Sequence, residues 1–504
     1  MLPFIPINIG YGAAGGSIAS QTMSGFNGWS STATADIMPT RMILVSRSRQ
    51  LAISNPMAAA AIDRMTGGII GEGLTYIAPT DGEEYAETGD KIKRRFELAS
   101  HMRILDAQKR QTFIQMQELA CRNWLLSGDI FFIRSRRSAS GLSSWRAIES
   151  DRVQSPYYYS QNADRYDAMC VNPDNGNRII DGIELDVDAV PVAYWILKDY
   201  IEQPLIVTPD QIERIPATDD DGSPIVLHLF APQRPDQYRG VPLIAETIES
   251  LHATTGFIRS VEQAAQFQSS VWGFVTSENP TTDETEPLYS GYLDEKIPTE
   301  QKPDDAQEGT PTMTLSTDPP TEYDIRARFD KTFPRPKTVS AGELWSLKPG
   351  EDVKFLQPTN PNSQFSDYIR AQNGMVASAI GIPLQVLSCN YDGTYASARG
   401  SVLEANRVFK RFRGFFIDNF VRPIFEQFVF DLTGDRILSK VLGYRSQWQA
   451  PTTLCLDPTK ELDAWTKAIQ LGLVDRDEAA MALYGHKATG TPDAPNKTVE
   501  VDEV

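Results

Sequence analysis

Between residues 276 and 325 the chain changes character: thirteen Asp and Glu stand against two Lys, among repeated prolines and threonines. Such a stretch has too little apolar surface to offset the entropy of ordering it. A single hydrophobic core therefore cannot run the length of the chain, and folded portions must flank an acidic insert. The insert reads either as a linker or as a partner-facing surface, because Tyr289, Tyr292, Leu293 and Ile297 offer side chains that a partner can order. A length of 504 residues fits about three domains or one elongated, multi-part subunit.

The rest has the composition of folded protein, 41% hydrophobic and 23% charged, which argues against a wholly disordered or fibrous chain. No run approaches the roughly 20 apolar residues of a membrane span. The start, MLPFIPINIG, lacks the basic and apolar regions of a secretory signal, so a soluble, unsecreted protein is expected. Cys121, Cys170, Cys389 and Cys455 are scattered, without the paired spacing of a zinc site or a disulfide framework. The net charge of −18 is the wrong sign for a protein that grips nucleic acid by its phosphates. It suits a surface that must let DNA slide past, and it also serves plain solubility.

Residues 10–40, rich in Gly, Ser, Thr and Ala, read as a mobile arm, with order beginning near Met38. SRSRQLAISNPMAAAAIDRM reads as two helices meeting at Asn55-Pro56, the second ending in the glycines of GGIIGEG. A helix from Thr112 to Ser127 follows, with Phe113, Met116, Leu119, Ala120 and Trp124 on one face. The runs IFFIRS, IIDGIELD, PVAYWILKD and PIVLHLF make residues 128–231 mainly β or α+β.

From Pro242 to about Ser270 a long helix is expected, striped by Ile244, Ile248, Leu251, Thr255 and Ile258. Another spans Ser363–Ile380, with Phe365, Ile369, Met375, Val376 and Ile380 available to a core. After the polar loop SCNYDGTYAS a helix runs from Ser397 to Leu432, to be kinked or divided at Pro423. Its apolar stripe is Val402, Ala405, Phe409, Phe412, Phe416 and Phe420, and Arg399, Arg407, Lys410, Arg411 and Arg413 make its other faces basic. Two short helices joined near Leu473 and an acidic tail close the chain.

Catalytic signatures are missing. There is no GxxxxGK[ST] phosphate loop, HExxH, GxSxG or C-x-x-C, and His101, His228, His252 and His486 lack ligand spacing. Asp219-Asp220-Asp221, between PAT and GSP, reads as a solvated loop before a metal cluster. No catalytic, cofactor-binding or metal-binding residue is assigned.

What rises above this background is a set of segments in fixed order: SRQLAISNPMAAAAIDRMTGGIIGEGLTY, FIQMQELACRNWLLSGDIFF, IIDGIELDVDAVPVAYWI and ERIPATDDDGSPIVLHLFAPQRPDQYRGVPLIAETIESL. LKPGEDVKFLQPTNPNSQFSDYIRAQNGMVASAIGIPLQVLSCNYDGTYASARGSVLEANRVFKRF and LDPTKELDAWTKAIQLGL complete it. Together they resemble the portal proteins of lambda-type tailed phages over roughly residues 45–485, the acidic insert apart. The chain departs from the family pattern at Cys389-Asn390, where an acidic residue is common.

The resemblance implies an α+β portal fold with wing, helical stem, clip and mainly helical crown, assembled as a homo-oligomeric ring, usually a dodecamer. It divides the chain into a flexible arm (1–40), wing (41–241), first stem helix (242–270), clip region with the acidic insert (271–340), second stem and wing return (341–386), tunnel loop (387–396), long helix and crown (397–486), and a disordered tail (487–504). Tunnel-loop residues for DNA contact are Asn390, Tyr391, Asp392, Tyr395, Arg399, Arg407, Lys410 and Arg411, with solvated or intersubunit salt-bridging roles an equal alternative. Asp283, Glu284, Glu286, Asp294, Glu295, Asp304 and Asp305 are candidates for docking the motor or neck. Implied partners are the terminase large subunit, major capsid and scaffolding proteins, a head-tail adaptor, and double-stranded DNA passing without sequence specificity, with no cofactor and no membrane. The place is the virion's portal vertex, with the host cytoplasm during assembly. The competing readings are a phage-encoded metal-dependent nuclease or peptidase using the 219–221 loop, and a tail or baseplate adaptor ring.

Overall fold

The computed structural model describes residues 31–79, 83–135, 141–156, 169–200, 208–270, 273–277, 351–355, 365–391, 393–445, 447–449, 458–476 and 479–480. The chain forms two compact units, one of Met1–Gly256 with Ser366–Val504 and one of Phe257–Phe365. Helices and antiparallel sheets are mixed, as the α+β expectation has it.

In the first unit, helix α1 (Ala33–Ser54) begins ahead of Met38, because the Thr32 side chain accepts from the Ala35 N–H and caps the first turn. It stops where Pro56 holds Asn55 extended at φ −118°, ψ 117°. The Asn55 side chain then accepts from the Met57 and Ala58 N–H groups, opening α2 (Pro56–Ile70). Gly67 and Gly68 lie within α2, not beyond it, and Gly71 at φ +59° ends the helix. Strand β1 (Thr75–Ile77) follows, then α3 (Glu83–His101), which buries Ile92, Phe96 and Ala99 and is otherwise largely charged.

Helix α4 (Phe113–Ser127) carries a reciprocal cap between Thr112 and Gln115, and buries Phe113, Met116, Ala120 and Trp124. It passes through Gly128 into β2 (Asp129–Ser135), the centre of an antiparallel sheet with β3 (Ser144–Glu149) and β9 (Val226–Phe230). Between these, β4 (Met169–Val171), β5 (Arg178–Ile180), β6 (Ile183–Leu185), β7 (Pro191–Leu197) and β8 (Ile212–Pro216) form a five-stranded antiparallel meander. Phe131 joins the two sheets, packing edge-on against Tyr194 with ring centres 5.7 Å apart.

Helix α5 (Ile248–Ser270) starts later than Pro242 because Ala245–Thr247 take a tighter 3-10 turn first. Ile244, Ile248 and Leu251 are buried, while Thr255 and Ile258 are half-buried. The second unit holds the remainder of α5 and the antiparallel pair β10 (Gly273–Ser277) and β11 (Glu351–Phe355). Ser277 pairs with Glu351, so the two ends of the long intervening segment are adjacent. The acidic insert between them lies outside the described residues.

Helix α6 (Phe365–Ile380) buries Val376 and Ile380, whereas Met375, expected in a core, faces solvent because Val376 and Ala377 turn the other side inward. Gly381 at φ +85° ends it, and the short α7 (Leu384–Ser388) follows. Helix α8 (Tyr395–Phe416) continues through a π segment, Ile417–Val421, into α9 (Arg422–Thr433). The division falls where Pro423 has no N–H to give and its ring crowds the carbonyl four residues back, a conflict that a widened turn absorbs. Then come α10 (Arg436–Arg445), β12 (Gln447–Gln449) and α11 (Pro458–Gln470).

Strand β12 pairs with β1, Thr75 opposite Gln449. Around this closure lies an aromatic core: Phe425 stacks on Tyr76 at 4.3 Å, Phe96 meets Phe113, Phe425 and Phe428 edge-on, and Phe416 and Phe420 are wholly buried. Each such ring contributes roughly 1.5–3 kcal/mol by leaving water. No described helix is long and apolar enough to cross a membrane.

Candidate functional site

The turn between α7 and α8 is the exposed feature that this packing presents. Leu387 and Val386 anchor α7 in the core, and Cys389 then reverses the chain in the left-handed region at φ +52°, where glycine is the usual occupant. Every described residue from Ser388 to Ser397 is exposed, Asn390, Tyr391 and Tyr395 among them. Asp392 lies outside the described residues. The Thr394 side chain accepts from the Ser397 N–H and starts α8, so the loop is pinned at both ends. Partial covering of its ring pushes the Tyr391 hydroxyl up, Cys389 adds to this, and Arg64 of α2 opposes it.

Helix α8 sits on α2 through its apolar stripe: Val402, Ala405, Phe409 and Phe416 are buried and Phe412 is half-buried. The fit on α2 depends on Gly68, since a β-carbon there would stand 2.6 Å from the Phe409 ring. Arg399, Arg407 and Lys410 lie on the opposite, exposed face. From Arg399 to Arg411 the helix rises about 18 Å, so these bases form a line, not one cluster. Arg399 alone is within a turn of the loop. Arg407 is drawn to Glu404 at 3.0 Å, and Arg411 leans on the Phe412 ring at the wall of an open groove of about 480 Å3 that Trp124, Pro242 and Ile380 also line.

Arg413 corrects the sequence reading: it is buried and donates to the carbonyl oxygens of Ile69 and Gly68, at 2.7 Å each. These carbonyls end α2, so the guanidinium serves as its C-terminal cap.

The Asp219–Asp221 loop is a turn tied to the protein's own bases, Asp219 to Arg134 at 2.7 Å and Asp221 to Arg436 at 3.3 Å. No group of three or more His, Cys, Asp or Glu able to hold a metal occurs among the described residues. Cys121 and Cys170 are buried thiols and Cys389 an exposed one; burial pushes the Cys121 thiol up. The docking candidates Asp283, Glu284, Glu286, Asp294, Glu295, Asp304 and Asp305 lie outside the described residues.

Sequence reasoning missed a buried ionic network that holds the sheets in place. Arg239 donates Nε–H to Asp129 Oδ2 at 2.7 Å and Nη1–H to the Asp181 carbonyl at 2.7 Å, while Arg41 binds the Asp181 carboxylate and the Ser150 hydroxyl. Burial would raise the Asp129 carboxyl, but the charge of Arg239, with His228 Nε2 3.5 Å away and the charge of Arg41, holds it well below the usual carboxylate range. His228, stacked on Phe131 and Phe230, is pushed down by burial. The arginines of the network stand 58 to 140 positions from the groups they bind, so no local spacing announces them.

A family model described as phage portal protein, lambda family, matches residues 19–413. Among solved structures, the chain is similar to one from the neck of a native GTA particle computed with C12 symmetry, at 15% identity, covering 90% of this chain and 93% of that one, with a TM-score of 0.45. It is also similar to an HK97 family phage portal protein from Corynebacterium diphtheriae, at 12% identity over 82% of this chain and 96% of that one, with a TM-score of 0.33.

Proposed function

The chain belongs to the lambda family of phage portal proteins, and on that footing we propose that its copies close into a ring at one capsid vertex, through which double-stranded DNA enters and leaves. The family match across most of the chain carries this reading. The protein is a structural component of the virion, and the motor and tail attach to it.

In the finer reading the ring holds about a dozen copies, each meeting its two neighbours through different surfaces. The exposed loop from Ser388 to Ser397 faces the channel, with Arg399 nearest the passing phosphates. An overall charge of −18 keeps that contact weak, which suits a conduit: every phosphate contact made during translocation has to be broken again. The acidic insert, whose ends meet at Ser277 and Glu351, is the surface for the terminase large subunit during packaging and for the head-tail adaptor afterwards. No chemistry is assigned to the subunit itself. The nuclease alternative is the weaker one because Asp219 and Asp221 are already paired with Arg134 and Arg436.

Native mass spectrometry with negative-stain imaging of the purified chain tests the reading. Rings of about a dozen copies with a central hole are expected. A strict monomer at every salt concentration, in the presence of scaffolding and capsid proteins as well as alone, would sink it.

A further inference from the structure

In this acidic chain, residues 91–110 carry seven Lys and Arg against two acids, Glu97 and Asp106. Lys91 and Lys93 are tied to Glu87 and Glu97 within α3. The Asp106 carboxylate accepts from the backbone N–H groups of Gln108, Arg110 and Gln111, and offers little to a side-chain base. Arg94, Arg95, Arg103, Lys109 and Arg110 are exposed and form no ion pair among the described residues. Leu98, on the face of α3 that Arg94 and Arg95 share at three- and four-residue steps, and Met102, in the turn just beyond the helix, stand between them, 59% and 61% exposed.

The five-stranded sheet shows the converse at one end. The registers Val171 with Arg178, Arg178 with Leu185, Leu185 with Pro191 and Ala193 with Pro216 bring the end of β4, the β6–β7 turn and the segment after β8 together. There Val171, Val187 and Val190 are 53%, 96% and 53% exposed, among Asp174, Asp186, Asp188 and Asp220. Arg214 at this end is held by Glu184, and Arg134 and Arg436 by Asp219 and Asp221, which leaves Arg178 as the base without an ion pair there among the described residues. The turn that presents Val187 is well defined, since the Asp186 carboxylate accepts from the Asp188 and Val190 N–H groups at 2.9 and 2.8 Å. Helix α3 packs into the main aromatic core, and this sheet into separate apolar clusters.

A closed ring needs two different, complementary surfaces on every copy. Resting on the ring reading above, we propose that the basic surface formed by the end of α3 and the turn after it, centred on Leu98 and Met102, docks onto the acidic, valine-bearing sheet end of the next copy. Opposite charge supplies register and steering, and the exposed apolar side chains supply what is buried.

The test is a charge exchange. Arg94→Glu with Arg95→Glu, and separately Asp174→Lys with Asp188→Lys, are each expected to convert rings into monomers by native mass spectrometry, while all four substitutions in one chain restore them. Leu98→Cys with Val187→Cys, in a Cys389→Ser background, is expected to give a ladder of oxidised oligomers that neither cysteine gives alone. Rings that survive both reversals, or a fourfold variant that stays monomeric with the parent's circular dichroism and melting temperature, overturn the docking. So do rings that persist in the Arg94→Glu, Arg95→Glu chain while its retardation of duplex DNA is lost, since the face is then a nucleic-acid surface. A parent chain that never forms rings overturns the portal reading itself, a result distinct from all of these.

Discussion

The Arg413 guanidinium donates its Nε–H to the carbonyl oxygen of Ile69 at 2.7 Å, across 344 positions of sequence. With a second bond to Gly68, one side chain of α8 closes the end of α2, and so fixes the helix that begins at the candidate tunnel loop against the helix beneath it. Replacing Arg413 with Met leaves buried carbonyls without a donor. The expected loss is roughly 1–3 kcal/mol, read as a lower midpoint in urea; Arg413→Lys should recover part of it.

Gly128 and Gly240 cross so closely that a β-carbon on Gly240 would stand 1.9 Å from the Gly128 carbonyl oxygen. Both neighbours are backbone and have no rotamer to yield. Gly240→Ala should therefore lose about 3 kcal/mol or more of stability, the upper range for overpacking, or fail to accumulate as soluble protein. Gly400→Ala is the contrast: nothing lies within 4 Å of that site inside α8, and a gain of about 0.5–1 kcal/mol is expected. Equal effects of the two substitutions would refute the crossing.

Removing one partner of a buried pair leaves the other charge unmatched. Arg239→Met strands Asp129, and a loss of roughly 3–5 kcal/mol is expected by thermal or urea unfolding. A loss under about 1 kcal/mol, the level of an exposed pair, would mean that water reaches the site.

Acid stability follows from Glu184. Burial alone would raise its carboxyl, but hydrogen bonds from Arg214, Asn175 and Asn177, with the charge of Arg214, bring it down to about 2. An unfolded Glu titrates near about 4.3, so the folded state gains stability that is complete above that pH and is lost as pH falls toward 2. Glu184→Gln should be less stable than the parent at pH 7 and show a flatter decline between pH 4.5 and pH 2. Parallel acid-unfolding curves would count against the assignment.

Because Ser277 and Glu351 are paired neighbours, excising residues 280–325 leaves a loop that still spans the gap. The shortened subunit should melt within about 2 °C of the parent, since loop length costs little, yet lose binding to the packaging motor or neck. Unchanged docking would make the insert a linker.

Much of the local architecture was legible in the residues. Pro56 excludes the helical region for Asn55, and Asn55 is a good cap, so the break between α1 and α2 is written in two adjacent positions. Thr112 with Gln115 marks the start of α4 in the same way, and the phenylalanines of α8 recur at helical spacing because one face must be buried. Helix α3 was missed: its apolar residues are few among many charges, and such a pattern does not by itself separate a helix from a solvated segment. Of the loop candidates, Asn390 and Tyr391 lie on the exposed turn, with Tyr395 at the start of α8 and Arg399 one helical turn on, while Arg407, Lys410 and Arg411 trail along the helix. That separation follows from the rise per residue and could have been anticipated.

The sequence by itself determined the helical and strand periodicities, the caps, the acidic insert and the portal family, because each depends on residues close together or on segments kept in order. Only the tertiary structure decided which charges are structural. Lys410 and Arg413 are neighbours of like charge on one helix, yet one is solvated and the other caps α2, because only Arg413 faces the point where α2 ends. The pairing of β1 with β12, the crossing at Gly128 and Gly240, and the network of Arg41, Asp129, Asp181 and Arg239 were settled in the same way. Each joins groups far apart in the chain, and what selects them is the demand that every buried charge and backbone group find a partner.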